Sequence, residues 1–269
     1  MSNIHPSAVI EEGAQIAASA KIGPFCFIGS KAKIGENVEL ISNVTIMNDT
    51  TIGEGTKVFP GAVLGSGPQD HGNEFKDGMK LIIGKNNIIR ENVTMQCGTP
   101  KEKMTTIVGD DGMFMVNSHI AHDCVVGNSV IMTNNAVIGG HVHLGDNVIL
   151  GGNSAVHQFV RIGRCAMVGG MAGADRDVIP FGMVFGVREG IGSINIIGLK
   201  RRGFTKEQVA EIMHTFNVLF KNEELGSFAE RVEYARKSYG QNPIIDEILD
   251  FIKDSENGRR RVMTASRNV

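Results

Sequence analysis

Asn117-Ser118-His119-Ile120-Ala121-His122-Asp123-Cys124 lies in a run where an aliphatic side chain, or a stand-in for one, returns at every sixth position. The run reads Val108, Phe114, Ile120, Val126, Met132, Ile138, Leu144, Leu150, Val156, Ile162 and Val168. The same step joins Ile4, Ile10, Ile16, Ile22, Ile28, Ile34, Leu40, Ile46, Ile52, Val58 and Leu64, and a short third run holds Ile83, Ile89 and Met95. Hexad periodicity is the signature of a parallel β-helix, in which three hexads make one triangular coil and stacked coils share an aliphatic column. Gly, Asn and Asp take the corners, as in Ile34-Gly35-Glu36-Asn37 and Leu144-Gly145-Asp146-Asn147. An antiparallel β protein instead requires period-two alternation and hairpin turns. Stacked strands lie about 4.8 Å apart, so residues roughly 18 apart become vertical neighbours.

The register breaks twice. Loop one, Gly65–Gly78, contains Pro68-Gln69-Asp70 and Lys76, and a long excursion from a rigid coil points to binding. Loop two, Gly98–Met104, is shorter and less telling. After Val168 the period fades, and a helical pattern begins near residue 190. Thr205-Lys206-Glu207-Gln208 and Ser227-Phe228-Ala229-Glu230 read as capping boxes, and Asn242-Pro243 as an N-cap with a first-turn proline. Two domains are therefore expected: a hexapeptide-repeat β-helix over 1–189 and a helical domain over 190–269. The tail Gly258-Arg259-Arg260-Arg261 reads as a solvated end.

At 269 residues with 42% apolar side chains, the chain is long enough for a real core. The 34 glycines and 6% aromatic content suit many tight turns. A net charge of −2 implies no general attraction to nucleic acid or to an anionic membrane. No apolar run spans a bilayer and Met1–Pro6 lacks signal-peptide character, so a cytoplasmic protein without membrane insertion is expected. Cys26, Cys97, Cys124 and Cys165 form no Cys-x-x-Cys pair and read as reduced packing thiols.

Five histidines, His119, His122, His141, His143 and His157, fall within one stretch of the β-helix. His122 and His141 are about one coil apart and should stack on neighbouring rungs, with His157 about one coil further on. Two chemistries fit. Three converging imidazoles bind zinc with a position left for water, as in a β-helix enzyme of the carbonic anhydrase sort. Alternatively, Asp123 beside His122 makes that imidazole a metal-free general base for acyl transfer. Lys200, Arg201 and Arg202 at the module junction suit a phosphate-bearing ligand, and neither a Walker nor a Rossmann glycine motif is present.

Five segments in order carry a resemblance: Pro68-Gln69-Asp70, His119–Cys124, Gly139-Gly140-His141-Val142, Ala155-Val156-His157-Gln158-Phe159 and Asn195–Phe204. Over nearly its whole length the chain resembles the bacterial UDP-N-acetylglucosamine O-acyltransferases, which open lipid A synthesis. The resemblance implies a left-handed parallel β-helix with a C-terminal helical domain, assembled as a homotrimer, without metal or cofactor. Its members transfer an (R)-3-hydroxyacyl group from acyl carrier protein to a UDP-sugar. It further implies His122 as base, Asp123 as its support and the Gly140 amide as oxyanion donor. Gln69, Asp70, Lys76, His119, His141, His157 and Gln158 would contact substrate, Asn195, Arg201 and Arg202 the nucleotide or carrier side, and Gly170 would set acyl-chain length. The family lysine is missing at Gly72, Ile197 stands in place of an acid, and Gly186-Val187-Arg188 departs from the usual stretch. These departures leave open a 3-amino acceptor, which would yield an amide.

Overall fold

The computed structural model of the chain describes residues 3–70, 76–186, 190–256 and 262–263. His71, Gly72, Val187, Arg188 and the Gly258–Arg261 tail lie outside the described residues.

The hexad column is the core of a left-handed parallel β-helix. Within the described residues, short strands stack into three faces of nine, eight and ten strands, here faces I, II and III, parallel throughout except at the last strand of face III. As far as Gly173–Ala174 every third strand in chain order joins the same face, the topology that one triangular coil of three hexads demands. The recurring residues Ile22 to Leu64, Ile83 to Met95 and Val108 to Val168 are buried, while Ile4, Ile10 and Ile16 at the open first coil are only partly covered. Each buried aliphatic side chain contributes about 1.5–3 kcal/mol.

Corner residues adopt the left-handed conformation, with φ of 56° at Asn37 and 61° at Asn147. Asparagine tolerates that region better than most side chains. Asn117, Asn135 and Asn153 form a vertical amide ladder with side-chain hydrogen bonds of 3.1 Å at each step.

The register measures both loops. His119 pairs with Val137, an offset of 18 (137 − 119). Val63 pairs with Thr94, an offset of 31 (94 − 63), and Thr94 with His119, an offset of 25 (119 − 94). Loop one thus adds 13 residues to its coil (31 − 18) and loop two adds 7 (25 − 18). Each leaves the coil between a face I strand and a face II strand, so the two emerge one above the other at a single corner.

Strand Ile191–Ile194 runs antiparallel on Gly182–Val184 and closes face III. Four helices follow: α1 (Ile196–Arg201), α2 (Lys206–Phe220), α3 (Phe228–Tyr239) and α4 (Pro243–Glu256). Both capping boxes form as expected, at Thr205/Gln208 and Ser227/Glu230. Asn242 caps α4 through Oδ1, which accepts from the Ile244 N–H at 3.1 Å. The basic junction, expected only as a charged run, contains helix α1, with Lys200 and Arg201 in its last turn where cations favour the dipole.

Partly buried ion pairs hold helix α4 to the β-helix. Arg161 Nε donates to Asp177 Oδ2 at 2.9 Å and its guanidinium covers the Phe251 ring at 4.5 Å, while Ser255 bonds both Arg161 and Asp177. Arg164 grips Glu247 of α4 and lies over Phe181.

All four cysteines are buried free thiols, and burial pushes Cys97 and Cys124 up to about 12. Thiolate is the reactive form. The native protein should therefore take up no iodoacetamide at pH 8, and the unfolded protein four equivalents, as read by intact mass. Uptake at Cys97 or Cys124 before unfolding would contradict this burial.

Candidate active site

The corner between faces I and II that carries both loops also carries the histidines. Going up it, His122 lies 18 residues below Gly140 and Gly140 18 below Gln158, while Asp123, His141 and Phe159 form the adjacent column. Asp123, His141 and Phe159 have φ of 57°, 62° and 67°. They occupy the left-handed corner usually given to asparagine, and non-glycine residues at such positions are common at functional sites.

His122 Nδ1 lies 2.9 Å from Asp123 Oδ2, with the imidazole 12% and the carboxylate 1% exposed. Asp123 is held from behind: Oδ1 accepts from the Thr99 N–H at 2.8 Å and Oδ2 from Thr99 Oγ1 at 2.6 Å. Its own N–H donates to Thr106 Oγ1 at 2.8 Å. Burial alone would raise the Asp123 pKa. Hydrogen bonds from His122 and Thr99, with the nearby His141, outweigh burial and hold the carboxyl below its usual range. An ionised Asp123 accepts a hydrogen bond from the His122 Nδ1–H, which leaves the ring's lone pair on Nε2. That nitrogen makes no hydrogen bond among the described residues.

Gly140, on the next coil up, closes against the His122 ring. A Cβ there would lie 2.5 Å from His122 Cε1 and 2.7 Å from Nε2, so only glycine leaves this imidazole its place. The Gly140 N–H donates no hydrogen bond among the described residues. The corner therefore offers an uncommitted imidazole nitrogen and a free amide.

His141 donates its backbone N–H to His122 O at 3.0 Å and stands edge-on to the His122 ring with centroids 5.0 Å apart. It stacks on Phe159 at 4.4 Å. His141 Nδ1 lies 3.0 Å from Glu102 Oε1, near enough for an ion pair although not aligned as a hydrogen bond. His119 Nδ1 meets Thr94 Oγ1 at 2.7 Å, and burial, then neighbouring His122, lowers its pKa.

Sequence comparison meets this geometry. A UDP-N-acetylglucosamine O-acyltransferase of Rhizobium etli, an acyl-acyl-carrier-protein-dependent enzyme by name, is 44% identical over 93% of this chain and 91% of its own length. The chain belongs to the UDP-N-acetylglucosamine O-acyltransferase family. It is an acyltransferase. The corresponding Campylobacter concisus enzyme is 38% identical over 96% of this chain and 97% of its own. Residues 177–261 match the family described as UDP-N-acetylglucosamine O-acyltransferase, domain 2. The crystal structure of the Francisella novicida UDP-N-acetylglucosamine acyltransferase superposes with a TM-score of 0.91 at 39% identity, covering 98% of this chain and 95% of that one.

For this O-acyltransferase chain, the structure brings His119, His122, Asp123, Gly140, His141, His157 and Gln158 to one corner and its flanking strand ends. The stacking differs from expectation by one position, because a coil is 18 residues long and 19 separate the two histidines: His141 stacks over Asp123, and Gly140 over His122. His157 stands over Gly139 and is exposed, with Nδ1 at 3.2 Å from Gln158 O. The zinc trio of His122, His141 and His157 does not gather. Instead His122, Asp123 and His141 place ligand atoms within 4.8 Å of one another. Within that group both Asp123 oxygens already accept protein hydrogen bonds and His122 Nδ1 faces Asp123, while His141 Nδ1 makes no hydrogen bond among the described residues. His143 lies on face II between Val125 and Arg161, where burial lowers its pKa and Glu102 of loop two acts against that shift.

Loop one contributes an exposed Gln69 and an exposed Lys76, while Asp70 pairs with Lys101 Nζ at 2.6 Å. Asn195 is 3% exposed; its Oδ1 accepts from the Gly198 N–H and its Nδ2 donates to Cys165 O, both at 3.0 Å. Arg202 ties α1 to the β-helix through Asn147 O at 3.1 Å, and Arg201 is exposed. Gly170 is exposed, with room for a Cβ at 3.5 Å from Gly152 O.

Loop two, judged the less telling loop, supplies what the sequence reading missed. Thr99 holds Asp123, Lys101 meets Asp70 and Glu102 faces His141. The available signal was where the break falls: an excursion one coil before His122, at the same corner.

Proposed function

We propose that the protein transfers an (R)-3-hydroxyacyl group from acyl carrier protein to the 3-hydroxyl of UDP-N-acetylglucosamine in lipid A synthesis. The observation that carries this reading is a His122 imidazole held at Nδ1 by a buried, ionised Asp123, its Nε2 uncommitted beside the free Gly140 N–H. His122 Nε2 takes the hydroxyl proton as the sugar oxygen forms a bond to the thioester carbonyl carbon. The oxyanion accepts a hydrogen bond from the Gly140 amide, the contact that most often dominates acyl transfer. The C–S bond then breaks, and the His122 imidazolium returns its proton to the departing thiolate of the carrier. No step needs a metal or cofactor.

In this reading His119, His141, His157 and Gln158 line the sugar and acyl pockets. Gln69, Asp70 and Lys76 approach from loop one, and Arg201 and Arg202 face the nucleotide or carrier. Asn195 serves this surface indirectly by capping α1, which bears the cations. Among the described residues no helix is long and apolar enough to cross a membrane, in keeping with a cytoplasmic enzyme. We place the division between the catalytic β-helix and the helical domain at 189/190. Ile82, Ile107 and Val125 stack as a partly exposed aliphatic stripe on face II, which supports assembly into homotrimers.

The deciding assay incubates the protein with UDP-N-acetylglucosamine or its 3-amino analogue and acyl carriers of several chain lengths. Ester formation supports the proposal, and a strong preference for the analogue would make the product an amide. Stoichiometric zinc in active protein would overturn the metal-free mechanism. Because Gly170 lacks a side chain where space is open, the wild type should prefer a long acyl chain and Gly170→Met a shorter one; unchanged preference would remove Gly170 as the ruler.

A further inference from the structure

Loop two reaches the reacting corner through a residue buried behind it. Thr99 is 0% exposed, and its side chain has nothing to gain by packing alone, because its hydroxyl faces a carboxylate. Two donors converge on Asp123 Oδ2: Thr99 Oγ1 at 2.6 Å and His122 Nδ1 at 2.9 Å. The Thr99 N–H meets the other oxygen, Oδ1, at 2.8 Å. Together they fix the rotation of the carboxylate so that Oδ2 presents to His122. His141 Nδ1 stands 4.0 Å from the same oxygen, so a freed carboxylate has a second imidazole to turn towards.

We propose that Thr99 is a positioning residue for acyl transfer, setting His122 through the orientation of Asp123. This rests on His122 being the base. A base works only within the narrow geometry that its orienting partner imposes, and in general a third group that holds that partner acts on rate rather than on binding. The Thr99 hydrogen bonds also favour the ionised form of Asp123, the form that accepts from Nδ1.

Thr99 also ties this alignment to substrate loop one. Its hydroxyl accepts from the Lys101 N–H at 3.3 Å, and its carbonyl accepts from the Glu102 and Met104 N–H groups at 3.2 and 3.1 Å. Lys101 in turn grips Asp70. Loop two is thus one short brace between the Gln69–Asp70 segment and the histidine–aspartate pair.

The test compares Thr99→Val, which keeps shape and loses the hydroxyl, with Thr99→Ser, which keeps the hydroxyl. Thr99→Val should lower kcat about ten- to a hundred-fold with KM for the sugar nucleotide within about two-fold, and Thr99→Ser should recover most of kcat. A purely structural role for Thr99 in loop two would instead raise KM through loop one, and equal loss in both variants or an unchanged kcat in Thr99→Val would overturn the proposal. A substrate-free readout separates this from failure of the assigned reaction: the His122 Nδ1 proton resonance, identified by its loss in Asp123→Asn. It should shift or broaden in Thr99→Val and persist in Thr99→Ser; an unchanged resonance in Thr99→Val would also overturn it.

Discussion

His122→Ala should lower kcat by about 10²–10⁴ while leaving KM for the sugar nucleotide nearly unchanged, the scale expected when a general base is removed. The imidazole lies at a corner and packs on a glycine, so its loss opens little of the buried aliphatic column and folding should be retained. Asp123→Ala alone should cost less. The double variant should be no slower than His122→Ala, because Asp123 acts through the ring it orients at 2.9 Å. Steady-state assays on the three variants, with thermal unfolding as the control, decide the matter. Turnover by His122→Ala within ten-fold of the wild type would reduce the β-helix to a scaffold that only gathers its substrates.

Gly140→Ala should be nearly as damaging for a different reason. The new methyl group would sit 2.5 Å from His122 Cε1 and 3.1 Å from Nδ1. Gly140 does not have positive φ, so alanine suits its backbone and the strain falls on the ring. The ring must swing away, and a misplacement of about 1 Å at a reacting group costs on the order of 10²-fold in rate. We expect kcat to fall by about that factor while the melting temperature moves by roughly a few degrees at most. A larger thermal loss than kinetic loss would show that Gly140 matters for the coil and not for the base.

The repeat was legible because it is one-dimensional: burial of Ile120, Ile138 and Val156 on successive coils follows from a step of six, and nothing distant modifies it. The corner position of His122 and Asp123 followed from the same count. Contacts that cross a register break did not. Thr99 is 24 residues before Asp123 and Lys101 is 31 after Asp70, separations that differ from the regular step of 18 because each loop adds its own residues to its coil. The offset of His141 is subtler, since 19 looks like one coil and is one residue more. Helix α1 was hidden because Ile196–Arg201 is too short to show a 3.6-residue period and its cap, Asn195, read as a ligand.

The antiparallel strand Ile191–Ile194 has a consequence for solubility. A stack of parallel rungs presents, at its last rung, a row of unpaired N–H and C=O groups that invites a further rung from another molecule. On face III that invitation is declined from within the chain: Ile191–Ile194 arrives in the opposite direction on Gly182–Val184, and helix α2 packs against it. Face II is extended past its last strand by single bridges, Ile162 to Val178 and Asp177 to Val262. The C-terminal end of the prism is thereby covered from within the chain, and the Arg161–Asp177 and Arg164–Glu247 pairs pin that cover in place.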